Sequence, residues 1–315
     1  MQKFLFRQAA NLVQAFQPKL NILIYHRVMP EPDPLRPWEI DAQQFRKHLE
    51  WISGVFNVIP LADAVQQLKT GTLKRRSLVI TFDDGYLDNA TVALPLLKKA
   101  GLHATFFCTS AWLDGGLMWN DQVIEAIRRW PDKTISINEL ELKSIPVHTN
   151  QEKSKAIEII LPKLKYQEHN KRQAIANALT ESVDGFPDLM MRREHIKLLY
   201  QEGMGIGGHS HSHPILSGID DETLKEELEK NKQILEETLG TRLNLFSYPN
   251  GKSRTDFRAE QIRFIENAGY VASVTTELGS ASADTNLFQL PRFTPWDNNS
   301  TKFLARLITL KKALG

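Results

Sequence analysis

The chain has 315 residues, 42% hydrophobic and 24% charged, which is the make-up of a folded globular protein and excludes a disordered or fibrous one. Its 39 Lys and Arg against 37 Asp and Glu leave a formal net charge of +2, so no general electrostatic pull toward nucleic acid exists. One cysteine, Cys108, excludes an internal disulfide and points to a reducing, cytoplasmic compartment.

At the N-terminus, Leu5, Ala9, Leu12 and Phe16 recur at helical spacing, with Gln8, Asn11 and Gln14 between them, which predicts an amphipathic helix within residues 1–18. Its apolar stripe suits packing on the rest of the protein or peripheral contact with the inner face of a membrane. Arg7 and Gln8 cut the apolar start before a secretory h-region develops, and no run approaches the roughly 18 to 20 apolar residues of a membrane-spanning helix.

Residues 19–315 read as one domain in which short apolar runs alternate with helical patterning, the signature of an α/β fold with parallel strands. Seven runs stand out: Asn21–Val28, Ser77–Asp83, His103–Thr109, Met204–His209, Leu243–Tyr248, Tyr270–Thr275 and Phe288–Phe293. The second ends in Asp83-Asp84-Gly85. Neighbouring strand residues face opposite ways, but a turn at Gly85 brings both acids to one mouth, where two like charges call for a cation. A solvated Asp-Asp-Gly turn is the plain alternative. In the third run Cys108 sits among apolar neighbours and reads as a small core residue.

From about 117 to 190 the strand signal gives way to Lys-, Glu- and Gln-rich helical segments broken by Pro131, Pro146, Pro162 and Pro187, which predicts a helical insertion able to cover a site. The fourth run leads into Gly207-Gly208-His209-Ser210-His211-Ser212-His213-Pro214, with three of nine histidines inside five residues. Imidazole suits zinc and its divalent neighbours. If the segment turns helical, His209 and His213 face one way and His211 another. A chance surface cluster is the competing reading. Gly203 to Gly208 also satisfies GxGxxG, but without the strand-then-helix context of a dinucleotide site. A helix is predicted from the N-cap Asp220 to the stop at Gly240, carrying Leu224, Leu228, Leu235 and Leu239 on one face. Two imidazoles and one carboxylate form a three-ligand set with open positions, as a catalytic metal site requires, and leave the other aspartate free as a base.

Thr81-Phe82-Asp83-Asp84-Gly85 and His209-Ser210-His211-Ser212-His213-Pro214 resemble the first two motifs of the NodB-like polysaccharide deacetylases, carbohydrate esterases that remove N-acetyl or O-acetyl groups. The resemblance runs from about Asn21 to Phe293 and implies a distorted (β/α) barrel of about seven strands, interrupted by the insertion. It implies that Asp83 is the general base, that Asp84, His209 and His213 hold a divalent metal, zinc by the usual assumption, and that Asp83 deprotonates a water that attacks the acetyl carbonyl. The family's Arg-Pro-Pro-Tyr-Gly segment corresponds to Ser247-Tyr248-Pro249-Asn250-Gly251. The Asn250 N–H remains available for the oxyanion, but the arginine is missing, and Arg292 at the end of the last run is the candidate to supply that guanidinium from another direction. The late Leu-x-His motif is missing too, and His26, ending the first run, is the candidate proton donor.

The implied activity is metal-dependent hydrolysis of acetyl groups on a polysaccharide, oligosaccharide or glycan precursor. Hydrolysis of a non-sugar amide and a non-catalytic carbohydrate-binding role are the alternatives, and the intact Asp83, Asp84, His209 and His213 speak against the second. Tyr86, Trp112, Trp119, Tyr248 and Trp296 are available to stack on sugar, although their spacing equally suits core packing.

Overall fold

The structure, a computed structural model, describes residues 2–14 and 17–312. All seven runs form strands: β1 (Leu20–Tyr25), β2 (Ser77–Phe82), β3 (Thr105–Cys108), β4 (Gly205–Gly208), β5 (Leu245–Ser247), β6 (Ala272–Leu278) and β7 (Leu290–Arg292). They lie side by side in chain order, each parallel to the next. The Ile24 N–H donates to the Phe293 carbonyl (3.1 Å) and the Phe293 N–H to the Ile22 carbonyl (2.8 Å), so the end of β7 meets β1 and the sheet nearly closes into a distorted (β/α) barrel.

Continuous apolar runs make these strands because parallel strands are covered on both faces. Leu20, Ile22, Val79, Phe107, Leu245 and Leu290 pack on one face, against Leu61, Val65 and Leu68 of the helix Leu61–Thr70. Leu23, Leu78, Ile80, Phe82, Phe106 and Phe246 pack on the other, under the outer helices. Alternate residues share a face, and along the first of these faces the chemistry changes. Val79 is followed by Thr81 and Asp83, Leu245 by Ser247, and Leu290 by Arg292. Polar groups are thereby delivered to the C-terminal rim, where barrels of this kind carry their sites.

Glycines in β4 let its neighbours close in. A Cβ on Gly207 would lie 2.5 Å from the Phe107 ring and 2.8 Å from the Leu245 carbonyl, and one on Gly208 2.3 Å from the Tyr270 hydroxyl. The GxGxxG pattern therefore reflects close packing within a strand. The helix Asp221–Leu239 has the expected ends: the Asp220 carboxylate accepts from the Thr223 N–H (2.8 Å), and Gly240 closes it at φ 68°.

The insertion is not helical throughout. Beside the helices Trp119–Arg129, Asn150–Lys165 and His169–Glu181 it contains an antiparallel hairpin, Thr134–Ile137 with Leu142–Pro146. Its strands are short and half exposed, so the charged helical segments around them mask their alternation. The insertion has its own core, with Ile127, Ile135, Ile157, Ile160 and Ile175. It is pinned to the barrel through Asp121, which takes Arg36 Nη2 (2.8 Å) and the Tyr86 hydroxyl (2.9 Å).

The N-terminal helix spans Gln2–Val13 and packs Phe6, Ala9 and Ala10 on the body of the protein, next to the helix Ser300–Thr309. Of the expected stripe only Ala9 is covered. Leu5 is exposed, Leu12 is 76% exposed, and Phe16 lies outside the described residues. Among the described residues no helix is long and apolar enough to cross a membrane.

Candidate active site

Asp83 and Arg292 meet inside the rim. Arg292, fully buried, donates Nη1 to Asp83 Oδ1 and Nη2 to Asp83 Oδ2, both at 2.7 Å. Its remaining donors reach Thr81 Oγ1 (3.2 Å), Ser247 Oγ (3.0 Å) and the Thr275 carbonyl (2.7 Å), so all five guanidinium N–H bonds are used. Ser247 Oγ, standing where the family's third motif begins, donates to Asp83 Oδ2 (3.0 Å). Burial acts to raise the Asp83 carboxyl, but Arg292 beside it and His209 beyond outweigh burial and hold its pKa below the usual carboxylate range.

Asp84 follows with φ 77°, and this left-handed residue swings its carboxylate back to the mouth that Asp83 faces. Thr109 holds the turn, donating Oγ1 to the Asp84 carbonyl (2.7 Å). His209 leaves β4 with Nδ1 2.8 Å from the Ser247 carbonyl, an arrangement that puts the proton on Nδ1 and turns the Nε2 lone pair toward Asp84 Oδ1 (3.2 Å). His213 Nε2 approaches the same oxygen at 3.4 Å.

The two histidines converge without a helix. Residues 209–213 are irregular, and the segment folds back because Ser210 and His213 take φ 60° and 54° and the His213 N–H donates to Ser210 Oγ (3.2 Å). Glu227 clamps the bend, accepting from the Ser212 N–H (2.7 Å) and hydroxyl (2.6 Å). His211 is turned away, its Nδ1 2.9 Å from Ser110 Oγ. Four of the eight non-glycine residues with positive φ among the described residues, Asp84, Ser210, His213 and Asn250, fall in this site. Each such conformation costs on the order of 1 kcal/mol and persists where the surroundings enforce it.

Burial, reinforced by His209, pushes the His213 imidazole down to about 3 despite Asp84, so its nitrogen lone pair is free near neutral pH. Burial also opposes charge on His209, but Asp83 and Asp84 outweigh it and raise its pKa. At Asp84 burial is outweighed by the same two histidines, and the carboxyl lies well below its usual range. Asp84 Oδ1 is buried and accepts no hydrogen bond, and the ligand atoms of Asp84, His209 and His213 all lie within 4.8 Å of one another. A shared orphan oxygen facing two imidazole nitrogens fits a divalent cation.

These groups form one wall of a cavity of about 350 Å³, together with His26 and Asn250. Asn250 stands at φ 60°; its carbonyl accepts from Thr276 Oγ1 (2.6 Å), while its N–H donates to no group among the described residues. The same cavity is lined by Trp38 and Glu39, from the loop after β1, and by Trp119, Lys165 and Arg172, from the insertion. Of the sequence's aromatic candidates, Tyr248 is core, stacked on Phe257 at 3.9 Å, and Trp296 is exposed outside this cavity. Trp38, Glu39, Lys165 and Arg172 were not legible as site residues, since they come from segments without a motif.

The sequence pattern that defines the polysaccharide deacetylases matches residues 70–270. The chain belongs to the polysaccharide deacetylase family. As such a deacetylase it is a hydrolase of carbon–nitrogen bonds other than peptide bonds, or of the matching esters, in a family whose substrates are acetylated glycans. The matched stretch contains Asp83, Asp84, His209, His213 and Asn250 and leaves out His26 and Arg292. The deacetylase is 24% identical over 276 residues to YxkH of Bacillus subtilis (strain 168), whose name assigns it provisionally to the polysaccharide deacetylases, covering 87% of this chain and 70% of that one. Its fold is similar to that of the Streptococcus pyogenes deacetylase PplD, solved with acetate (TM-score 0.63, 18% identity, 93% of this chain and 99% of that one). It is also similar to IcaB from Ammonifex degensii (TM-score 0.60, 17% identity, 93% and 98%).

Proposed function

We propose that this deacetylase releases acetate from an N-acetylated sugar of a polysaccharide, oligosaccharide or glycan precursor, with an ester-linked acetyl as the nearest variant, and that it depends on a divalent ion, zinc. The observation that carries the reading is the buried Asp84 oxygen without a hydrogen bond, faced by His209 Nε2 and His213 Nε2 at 3.2 and 3.4 Å, with Asp83 alongside. Asp84, His209 and His213 would hold the ion. When bound, it supplies Lewis-acid polarisation of the acetyl carbonyl and acidifies a water.

Asp83 accepts the water's proton, and Arg292 keeps it ionised for that task at some loss of basicity. The Asn250 N–H donates to the oxyanion, an interaction worth about 3 kcal/mol in comparable sites. His26 returns a proton to the leaving amine. Metal analysis paired with acetate release from acetylated glycans tests the reading: one equivalent of ion and chelator-sensitive acetate release are expected, and a chain that hydrolyses acetylated glycans with no bound ion would overturn the metal assignment.

For His26→Gln the expected result is a fall in kcat of about a hundredfold. An unchanged kcat would give the proton's return to Asp83 instead.

We also propose a cytoplasmic location with peripheral membrane contact. The helix Gln2–Val13 has no acidic residue, carries Lys3 and Arg7, and exposes Phe4, Leu5, Leu12 and Val13. Full-length protein is expected to sediment with vesicles containing anionic lipid, and Leu5→Glu with Leu12→Glu to stay in the supernatant. Equal recovery of both in the supernatant would remove the membrane from the proposal.

A further inference from the structure

Charge around the cavity does not balance within the protein. Asp83 is answered by Arg292 (2.7 Å), Asp84 faces two imidazoles, and Arg36 is answered by Asp121 (2.8 Å) and Glu125 (3.2 Å). Lys165 and Arg172 remain, together with one acid, Glu39, whose carboxyl burial pushes up and which lies within 4.0 Å of neither cation. Among the described residues, no carboxylate oxygen lies within 4.0 Å of the Lys165 ammonium or the Arg172 guanidinium. Arg172 is only 4% exposed, yet it lines the cavity. Its hydrogen bonds go to neutral groups, the Lys165 carbonyl (2.9 Å) and His169 Nδ1 (3.3 Å), and its flat face lies over Trp119 at 5.1 Å. The nearby acids stay beyond 4.0 Å of both cations, although Asp256 Oδ1 has no hydrogen-bond partner. Glu168 caps its own helix through the Asn170 and Lys171 N–H groups (both 3.0 Å), and Asp256 accepts from the Lys252 N–H (2.9 Å).

A buried guanidinium without a counter-charge is expensive, and folded proteins pair such groups or present them to a charged ligand. Burial accordingly depresses the pKa of both cations. Their position favours a ligand. Both line the reaction cavity and also the adjoining one of about 280 Å³ floored by Pro214 and Ile215, and Arg172 is near enough to His213 to weigh against charge there. A neutral acetylated sugar has no use for two unanswered cations in the lining of the reaction cavity.

We propose that the glycan substrate carries an anionic group, a carboxylate or phosphate, close to the acetylated sugar, and that Lys165 and Arg172 of the insertion bind it. The proposal rests on the deacetylase reading above and narrows its substrate class. Arg172 offers the planar fork that suits either anion, and Lys165 a point charge beside it. The insertion thereby sets specificity while the barrel supplies the chemistry.

The test uses the zinc-loaded full chain and three probes: a neutral N-acetylglucosamine tetramer, a tetramer alternating N-acetylglucosamine with glucuronate, and an N-acetylglucosamine tetramer phosphorylated at its reducing end. At least one anionic probe is expected to exceed the neutral one tenfold or more in kcat/KM, mainly through KM, and the arm that does so identifies carboxylate or phosphate. Lys165→Gln and Arg172→Gln are each expected to shrink that ratio three- to tenfold. Lys165→Gln carries the test if Arg172→Gln misfolds, because the Lys165 ammonium donates no hydrogen bond among the described residues. Equal kcat/KM on all three probes, or a ratio that both variants leave unchanged, would overturn the anion site. Calorimetric binding of the same probes separates this failure from that of the underlying reading. Tighter anionic binding with no acetate released would sink the N-acetylated-sugar reading alone, and acetate released with equal affinities would sink the anion site alone.

Discussion

Asp83→Asn is expected to lower kcat by a factor of about 10² to 10⁴ while the folded protein still binds its divalent ion, because an amide cannot take a proton from water but leaves the three ligands in place. His209→Ala is expected to fail one step earlier, with metal content falling together with acetate release. His209 is more than a donor: its Nδ1 is anchored on the Ser247 carbonyl at 2.8 Å, so loss of the side chain also removes a tie between β5 and the segment leaving β4. The contrast between the two variants is the informative quantity. If Asp83→Asn also emptied the site, Asp83 would be a ligand and the base would have to be sought elsewhere. Metal content is best measured on the folded fraction, since an amide at residue 83 leaves the buried Arg292 without its counter-charge.

The placement of Asp83 and Asp84 at one mouth shows what a sequence can and cannot carry. The seven strands were legible because strands covered on both faces must be written as continuous apolar runs, and Leu78-Val79-Ile80 permits little else at that length. Asp83, Asp84 and His209 are legible because they stand at strand ends, and His213 because it falls in a cluster of three histidines within five residues. Their mode of convergence is not. Asp84, Ser210 and His213 adopt left-handed backbone that their residue types do not announce, and only the surrounding contacts, Thr109 on one segment and Glu227 on the other, impose it. Lys165 and Arg172 were hidden for a different reason. They belong to a helical insertion whose charge pattern looks like that of any solvated surface, and only the folding of its own small core over the barrel turns that face inward. The insertion's hairpin escaped notice because four alternating residues fall below what periodicity can establish.

Arg292→Ala is expected to give the largest combined effect on stability and activity. The side chain is fully buried and spans from the Thr275 carbonyl to both Asp83 oxygens, so truncation strands a buried carboxylate and empties a large volume; a loss of about 3 to 5 kcal/mol is expected, read by denaturant unfolding. The pH dependence follows from the direction of the Asp83 shift. Burial alone would raise this carboxyl, and Arg292 is what brings it below its ordinary value. In the native protein the ion pair's contribution to stability is therefore present above the ordinary carboxyl pKa of about 4 and is lost as the pH falls through the depressed folded value. In the variant that contribution disappears, and the acidic limb of kcat/KM, which requires ionised Asp83, moves to higher pH. A bound cation lowers both limbs and leaves the order of the two unchanged. Arg292→Lys separates charge from geometry: one ammonium restores part of the limb shift but cannot reproduce the fork that reaches Oδ1 and Oδ2 together, so kcat should stay below wild type. Full turnover in Arg292→Ala with an unmoved acidic limb would mean that Asp83 is oriented by Ser247 and the backbone alone, and that the arginine in β7 does not stand in for the one missing from the family's third motif.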